Sequence, residues 1–320
     1  MRDDNKLERI AEVARLYYKE GKSQAEIGEI LGVSHSTISR MLKEAHEHKI
    51  VEVFIRQPVK LLTSFSDQLE AKFGLKKAYV VAASGNNGAE RTHNLALQTA
   101  QVLTKTLQDG FRLGISTGST VAATLKRFKT AQPMHVQVVP LHGSKGERPC
   151  NGNNLMHTLA EQLGRDFITL PAPWLMQTVE ACQLITREKC VSSAIQLAEN
   201  VDVALVGIGA LNGDASETLW NGWIGKDALK ALREAGAVGE ICGKFFDKDG
   251  QVLDITLNER TIAINLNRLR GVANVVGVAG SEQKADAILA ALRGDLINVL
   301  VTDSDAARKI IELADNGGSS

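Results

Sequence analysis

The chain is predicted to be α/β in class, with an N-terminal helix-turn-helix (winged-helix-like) domain followed by a doubly wound α/β domain. Three observations carry this prediction. The first part of the sequence is a run of amphipathic helical segments cut by Gly21 and Gly32. From about Lys77 the texture changes to short apolar runs alternating with amphipathic helices. Several of those runs are apolar at nearly every position, as strands covered on both faces must be. The boundaries read as 1–58 for the helix-turn-helix domain and 59–320 for the second domain, which begins with a connecting helix over 61–73.

The bulk composition agrees with two cores. The chain has 320 residues, 44% of them apolar, enough for a buried interior in each part. No stretch approaches the roughly 18 uninterrupted apolar residues of a membrane span. The charged N-terminus runs into a helical pattern with no signal-peptide core behind it. Cys150, Cys182, Cys190 and Cys242 are scattered without a CxxC pair, which reads as reduced thiols in a cytoplasmic protein. The seven histidines show no ligand spacing, so neither a metal nor a cofactor is expected. Basic and acidic side chains balance at 37 each, and residues 1–60 hold 11 basic and 10 acidic groups, a surplus of only one. No global field draws the protein to nucleic acid, so any DNA affinity rests on local arrangement, strengthened by the avidity of a dimer or tetramer.

In the first segment Leu7, Ile10, Ala14 and Tyr17 share a face, and the pattern stops at Gly21. Ser23 and Glu26 have the spacing of a capping box, each side chain answering the other's backbone amide. The helix they open is read as burying Ile27, Ile30 and Leu31 and ending at Gly32, a residue type that accepts left-handed backbone. Val33 plugs the corner, Ser34 caps again, and a third helix buries Ile38, Met41 and Leu42. Small Gly28 at a close crossing, Gly32 at the turn and Ile38 locking the second helix are what a bihelical corner requires. An ordinary αα-corner is the plainer reading. The outer face of the third helix favours DNA, because it carries His35, Ser36, Ser39, Arg40 and Lys43. Arg40 suits a bidentate pair with guanine, and His35, Ser36 and Ser39 are short enough for nearby base edges. Thr37, Lys43 and Ser23 are better placed for phosphates. Each of them alone is equally a solvated polar residue.

Ile50–Arg56 then alternates like the strand of a small wing, and Gln57-Pro58 breaks it. Leu62, Phe65, Leu69 and Phe73 form one helical stripe ending at Gly74, either packed on a neighbour or exposed as a dimerisation seam. Strands are predicted at Ala78–Val81, Phe111–Ile115, Val136–Leu141, Val203–Ile208, Val275–Val278 and Val299–Thr302. Helices between them include 91–107, 121–128, 155–163 and 285–292.

Three strand-to-helix loops carry possible chemistry. In Ser116-Thr117-Gly118-Ser119-Thr120, small residues let amides approach an anion, hydroxyls add donors and a helix N-terminus adds positive partial charge. It lacks the lysine of a nucleotide-hydrolysing loop. The plainer alternative is that Ser119 or Thr120 only caps a helix. In Ala279–Lys284, Lys284 places a cation near any bound phosphate, or is an ordinary surface lysine. Gly207–Gly213 has the spacing GxGxxxG with no acid suitably placed to hold a ribose, which argues against a nicotinamide enzyme. Glu240 is an acid among residues that look buried, fit either to accept ligand hydroxyls or to act as a base. His142, at a strand end, either shares those roles or is a core-edge histidine bonded to backbone. No nucleophile with a dedicated base appears, so no catalytic residue and no enzyme activity are assigned.

Taken together, these residues resemble the SorC family of bacterial sugar-responsive regulators, also called the SorC/DeoR type. The resemblance runs from Ala14–Tyr18 through the helix-turn-helix to Leu300–Asp303. Its specific runs are Gly114–Thr120, Asp202–Gly209, Gly236–Cys242, Phe245–Asp247 and Val276–Lys284. It implies a homotetrameric or homodimeric regulator of a carbohydrate operon that binds operator DNA and has no membrane partner. The second domain would resemble sugar-phosphate isomerases and glucosamine-6-phosphate deaminase in fold, and would serve as a sugar or sugar-phosphate receptor. By that resemblance Gly118, Ser119 and Thr120 with Lys284 would hold a phosphate, Glu240 would bind sugar hydroxyls, and His142 with Asn151 would line the pocket. Three positions depart from the family. Thr117 stands where many members have Trp, His142 where some have Arg or Lys, and Ser281 where a second glycine is common. His142 cannot form a lysine's Schiff base and is a weaker phosphate clamp. The alternative is a sugar-phosphate isomerase or deaminase fused to a DNA-binding module; a helix-turn-helix used only for protein contacts is a third reading.

Overall fold

The computed structural model describes residues 2–48, 50–51, 59–83, 87–130, 134–144, 152–164, 167–211, 222 and 224–316. The chain divides into two compact units, Met1–Pro58 and Val59–Ser320.

The first unit holds α1 (Arg2–Tyr18), α2 (Gln24–Leu31) and α3 (His35–Glu47). The Ser23–Glu26 capping box forms as the spacing requires, and Gly32 ends α2 with φ 64°. Ser34 caps α3 by accepting the Thr37 amide. Val13, Leu16, Ile27, Ile38 and Leu42 make the main core, while Ile10, Ala14 and Ala45 make a second one. A Cβ at Gly28 would lie 2.8 Å from the Val33 carbonyl oxygen, so the tight corner admits only hydrogen there. The burial expected of Ile30 is corrected, and Leu7, grouped with the α1 face, is exposed too. Ile30 is 56% exposed and Leu7 is 39% exposed. A three-helix corner closes on one stripe per helix; Val13 and Leu16 in α1 and Ile27 in α2 supply those stripes, leaving Leu7 and Ile30 outside. Of the wing, Ile50 is a bend and Val51 is irregular; Glu52–Pro58 lie outside the described residues.

The second unit begins with α4 (Thr63–Phe73), which ends at Gly74 with φ 64°. Leu69 is buried, and Leu62, Phe65 and Phe73 pack against the core below, so the stripe is an internal packing surface. Then follow β1 (Lys77–Val81), α5 (Gly88–Thr106), β2 (Arg112–Ile115), α6 (Ser119–Leu125), β3 (Gln137–Pro140), α7 (Gly152–Gln162), α8 (Val179–Arg187), α9 (Lys189–Ala198) and β4 (Val203–Gly207). Short β5 (Gly209–Ala210), the helix Lys226–Glu234, β6 (Gly239–Ile241) and β7 (Lys244–Phe246) come next. The chain ends with β8 (Asn274–Val278), the helix Ala285–Arg293, β9 (Val299–Asp303) and the helix Ser304–Asn316.

Six strands form one sheet in the order β1-β9-β8-β4-β2-β3, and every pairing in it is parallel. Alternation explains the apolar runs. Ala204 and Val206 enter the core shared with α4 and the helices Ala285–Arg293 and Ser304–Asn316. Val203 and Leu205 face the opposite core with α5, α6 and α7. Both faces are covered, so the strand interiors are almost wholly apolar.

A wholly parallel sheet places all its strand-to-helix loops on one edge. Its switch point falls between β2, which continues outward to β3, and β4, which continues inward to β8 and β9. Ligand crevices in such sheets open there. Beside it lies a small antiparallel sheet, β5-β6-β7, that sequence reading did not anticipate. Its β6–β7 turn is Cys242-Gly243, with φ 56° and 81°, the doubly left-handed shape of a two-residue hairpin.

Candidate functional site

In α3, the predicted DNA-reading residues His35, Ser36, Ser39, Arg40 and Lys43 are all exposed, and Thr37 is half-buried. Part of this set is locally engaged. The Ser34 hydroxyl lies 2.9 Å from the Ser36 hydroxyl and 2.8 Å from that of Thr37, so the cap is a small hydroxyl cluster. Arg40 Nε approaches Glu44 Oε1 at 3.8 Å, while Lys6 holds Glu44 Oε2 at 2.8 Å. The hydrogen bond from Lys6 is the main reason the Glu44 carboxyl sits below its usual range. Arg40 shares its carboxylate with Lys6, and 71% of its side chain stays exposed. Ser23 is exposed, but its hydroxyl donates to Glu26 Oε2 at 2.7 Å and accepts the Glu26 amide at 3.3 Å. A phosphate contact by Ser23 would compete with the capping box.

The second constellation lies on the strand-end edge. After β2, the buried Ser116 hydroxyl accepts the Gly207 amide at 3.0 Å, tying the β2 and β4 ends together. The Thr117 amide donates to His142 Nε2 at 3.0 Å, and the Thr117 hydroxyl lies 2.9 Å from the same nitrogen. His142 Nδ1 is 2.7 Å from the Gly143 carbonyl oxygen. A carbonyl only accepts, so Nδ1 carries the proton and Nε2 is the acceptor for Thr117. His142 is 4% exposed. It stands at the β3 end and joins it to the Ser116–Thr120 loop; both ring nitrogens serve neighbouring groups, which makes it a brace for the loop. Gly118, half-buried, leads into α6, Ser119 is exposed and Thr120 is half-buried at the start of that helix.

From the β4 end, the Ile208 carbonyl accepts the Lys284 ammonium at 3.1 Å. Burial pushes the Lys284 pKa below its ordinary value, and the Glu240 carboxylate opposes that shift. Glu240 reaches this place on β6, paired opposite Gly209. Its Oε2 accepts the Gly243 amide at 2.7 Å, so the hairpin turn orients the acid. Its side chain, Oε1 foremost, fills the space a Cβ at Gly209 would need. Gly207-Ile208-Gly209 is thereby explained: the second glycine makes room for Glu240 and has no part in a dinucleotide site. The Trp174 indole lies where a Cβ at Gly243 would be, locking the turn from behind.

Two bonded pairs therefore lie at the strand ends, Thr117 with His142 and Ile208 with Lys284; the Ser116–Gly207 bond ties the β2 and β4 ends between them, and Glu240, on β6, is the charged neighbour of Lys284. Asn151 lies outside the described residues. Among the described residues no hydrogen bond ties Ser119 or Thr120 to Lys284; those two share only the strand-end edge with it. Two clefts elsewhere have no predicted effector residue in their lining: one of about 540 Å³ between the helix Lys226–Glu234 and Asp254–Arg260, the other of about 400 Å³ beside Lys244 and Asn265. Lys244, unremarked in the sequence, donates to the Thr261 carbonyl at 2.9 Å and to the Asn258 carbonyl. Burial lowers its pKa, and it ties β7 to the 258–261 segment. Sequence reading also missed Asp303 and Arg91, and took Ser116 only as one small residue of the first loop. Their only signal was a buried-looking polar residue at a strand end or a charged one at a helix start. No helix among the described residues is long and apolar enough to cross a membrane.

Comparison with known proteins matches both domains. A helix-turn-helix domain family matches residues 7–45, and a sugar-binding domain family matches residues 57–312. The deoxyribonucleoside regulator of Bacillus subtilis is 30% identical over 97% of this chain and 99% of its own length. The transcriptional regulator LsrR of an Enterobacter species is 32% identical over 96% of this chain and 94% of its own. The crystal structure of the full-length sorbitol operon regulator SorC from Klebsiella pneumoniae superposes with a TM-score of 0.72 at 30% identity, covering 96% of this chain and 98% of that one.

Proposed function

The chain belongs to the SorC family of DNA-binding transcriptional regulators, and on that premise we propose that it controls a carbohydrate-utilisation operon from the bacterial cytoplasm as a homo-oligomer. Its effector is a sugar phosphate or a sugar held at the strand-end cleft between β2 and β4. The observation that carries this reading is the Lys284 ammonium, half-buried and bonded to the Ile208 carbonyl at the switch point, with the Glu240 carboxylate as its charged neighbour. A cation and an acid side by side in a parallel-sheet crevice suit a ligand with an anionic group at one end and hydroxyls at the other. Gly118, Ser119 and Thr120 offer further donors to the anion. His142 supports them from behind through Thr117. Arg40, His35, Ser36 and Ser39 read bases, and Lys43 and Thr37 contact phosphates.

The output follows from linkage. An effector that prefers one arrangement of the second domains shifts the spacing of paired α3 helices, and so changes operator affinity. Gel retardation of the DNA upstream of the protein's own gene, titrated with a panel of phosphorylated and free sugars, tests the reading. A phosphorylated sugar that shifts retardation at low concentration is the expected result. Failure of the intact protein to retard that DNA would remove the DNA-reading half. Turnover of the same sugar phosphates by the purified protein would favour the isomerase or deaminase alternative; none is expected, since the related regulators carry no enzyme name.

A further inference from the structure

Asp303, the last residue of β9, is fully buried, and three separate elements meet on its carboxylate. Oδ1 accepts the Ala306 amide at 2.9 Å, capping the final helix. Oδ2 accepts the Ser281 amide at 2.9 Å, from the loop after β8. Arg91, in the first turn of α5, sets its Nε 2.8 Å from the same Oδ2 and an Nη 3.5 Å from Asp305. A buried carboxylate without such partners would be expelled or neutralised.

What the carboxylate holds is an unusual corner. Ser281 has φ 93°, a region that side chains other than glycine seldom adopt. At Gly280 a Cβ would lie 2.6 Å from Asp303 Oδ2 and 2.8 Å from Leu95 Cδ1, so the loop is pressed directly onto the acid. The Ser281 carbonyl then accepts the Lys284 amide at 3.0 Å. From there the Lys284 side chain reaches the Ile208 carbonyl. A continuous path of bonds therefore leads from Arg91 through Asp303 and Ser281 to Lys284.

We propose that the Arg91–Asp303 ion pair is the positioning device for Lys284: it pins the Gly280–Ser281 corner in its left-handed form and so fixes the ammonium in the strand-end cleft. This rests on the reading of Lys284 as the anion-binding cation. Arg91 and Asp303 are positioning residues, with no contact to the effector.

The test uses the full-length chain as Arg91→Met, Arg91→Lys and Asp303→Asn. Without ligand, amide hydrogen exchange is followed over 279–284 and, as an internal reference, over β4. In parallel, acetylation of Lys284 by acetic anhydride is measured with and without inorganic phosphate. Arg91→Met is expected to speed exchange over 279–284 by about tenfold with β4 unchanged, and to raise the phosphate concentration that protects Lys284 by about tenfold. Arg91→Lys, which keeps a cation, should restore both toward the parent. Should Asp303→Asn fold, its amide N–H would face N–H groups already there, and exchange over 279–284 should rise further.

Unchanged exchange over 279–284 in Arg91→Met overturns the proposal. So does an equal rise over β4, because that is general loosening. If phosphate fails to protect Lys284 even in the parent, the anion-site reading fails by itself. The exchange arm still decides whether the pair positions the loop.

Discussion

At Lys284 stability and the proposed anion site pull in opposite directions. Burial lowers its pKa in the folded chain, so between that value and the ordinary lysine value, about 10.4, the unfolded chain binds more protons. Stability contributed by this group therefore rises with pH through that alkaline window, and below it the full cost of burying a charge is present. Lys284→Met keeps the stem and removes the charge. The variant should melt at or above the parent at neutral pH, by about 2 °C if one kilocalorie is recovered, and its stability should lose the alkaline rise. It should bind operator normally and ignore the effector, as should Lys284→Ala. Calorimetry across pH 7 to about 10.5 checks the first part; a melting point well below the parent's would mean that the bond to Ile208 outweighs desolvation. Sugar-titrated retardation checks the second, and equal sensitivity in variant and parent would take Lys284 out of the site.

At the scale of elements, two glycines hold their neighbours by absence. Gly28→Ala would drive a methyl to 2.8 Å from the Val33 carbonyl, prising α2 from the turn. A loss of about 1–3 kcal/mol is expected, as for other overpacking, read as a lower melting point of the N-terminal unit and weaker operator binding. Gly209→Ala is expected to leave DNA binding intact but to displace Glu240 from the β5–β6 pairing. The effector midpoint should rise while ligand-free retardation stays at the parent's level. An unchanged midpoint would argue that Glu240 is not a ligand. Ser23→Ala removes a capping box worth about 1 kcal/mol. If the same change also weakened DNA binding beyond that loss, the phosphate role read for Ser23 would gain support over capping alone.

For the whole molecule, the charge balance matters most. Equal numbers of basic and acidic side chains provide no global field for DNA, so the proposed reading rests its affinity on the α3 face and on the avidity of an oligomer. Arg40→Ala should lower the ratio of specific to nonspecific affinity, by about 1–3 kcal/mol if the contact is bidentate to guanine. Competition retardation at fixed salt measures it, and an unchanged ratio would place Arg40 on the backbone. Effector coupling is expected on the order of 1–3 kcal/mol, or roughly 5- to 150-fold in operator affinity.

Periodicity and turn chemistry alone determined the helix-turn-helix, its caps, the six parallel strands and the strand-end position of the candidate residues. These follow from local rules: glycine where φ must be positive, serine where amides lack partners, apolar runs where both faces are covered. Only the tertiary structure decided what those residues do to one another. It placed both ring nitrogens of His142 against Thr117 and Gly143, seated the Glu240 side chain against Gly209, and exposed Ile30. It also revealed Asp303 with Arg91, which are 212 positions apart in sequence. Contacts of that kind leave no periodic trace, because they depend on which strand ends the sheet order brings side by side, and sheet order is set by long-range packing.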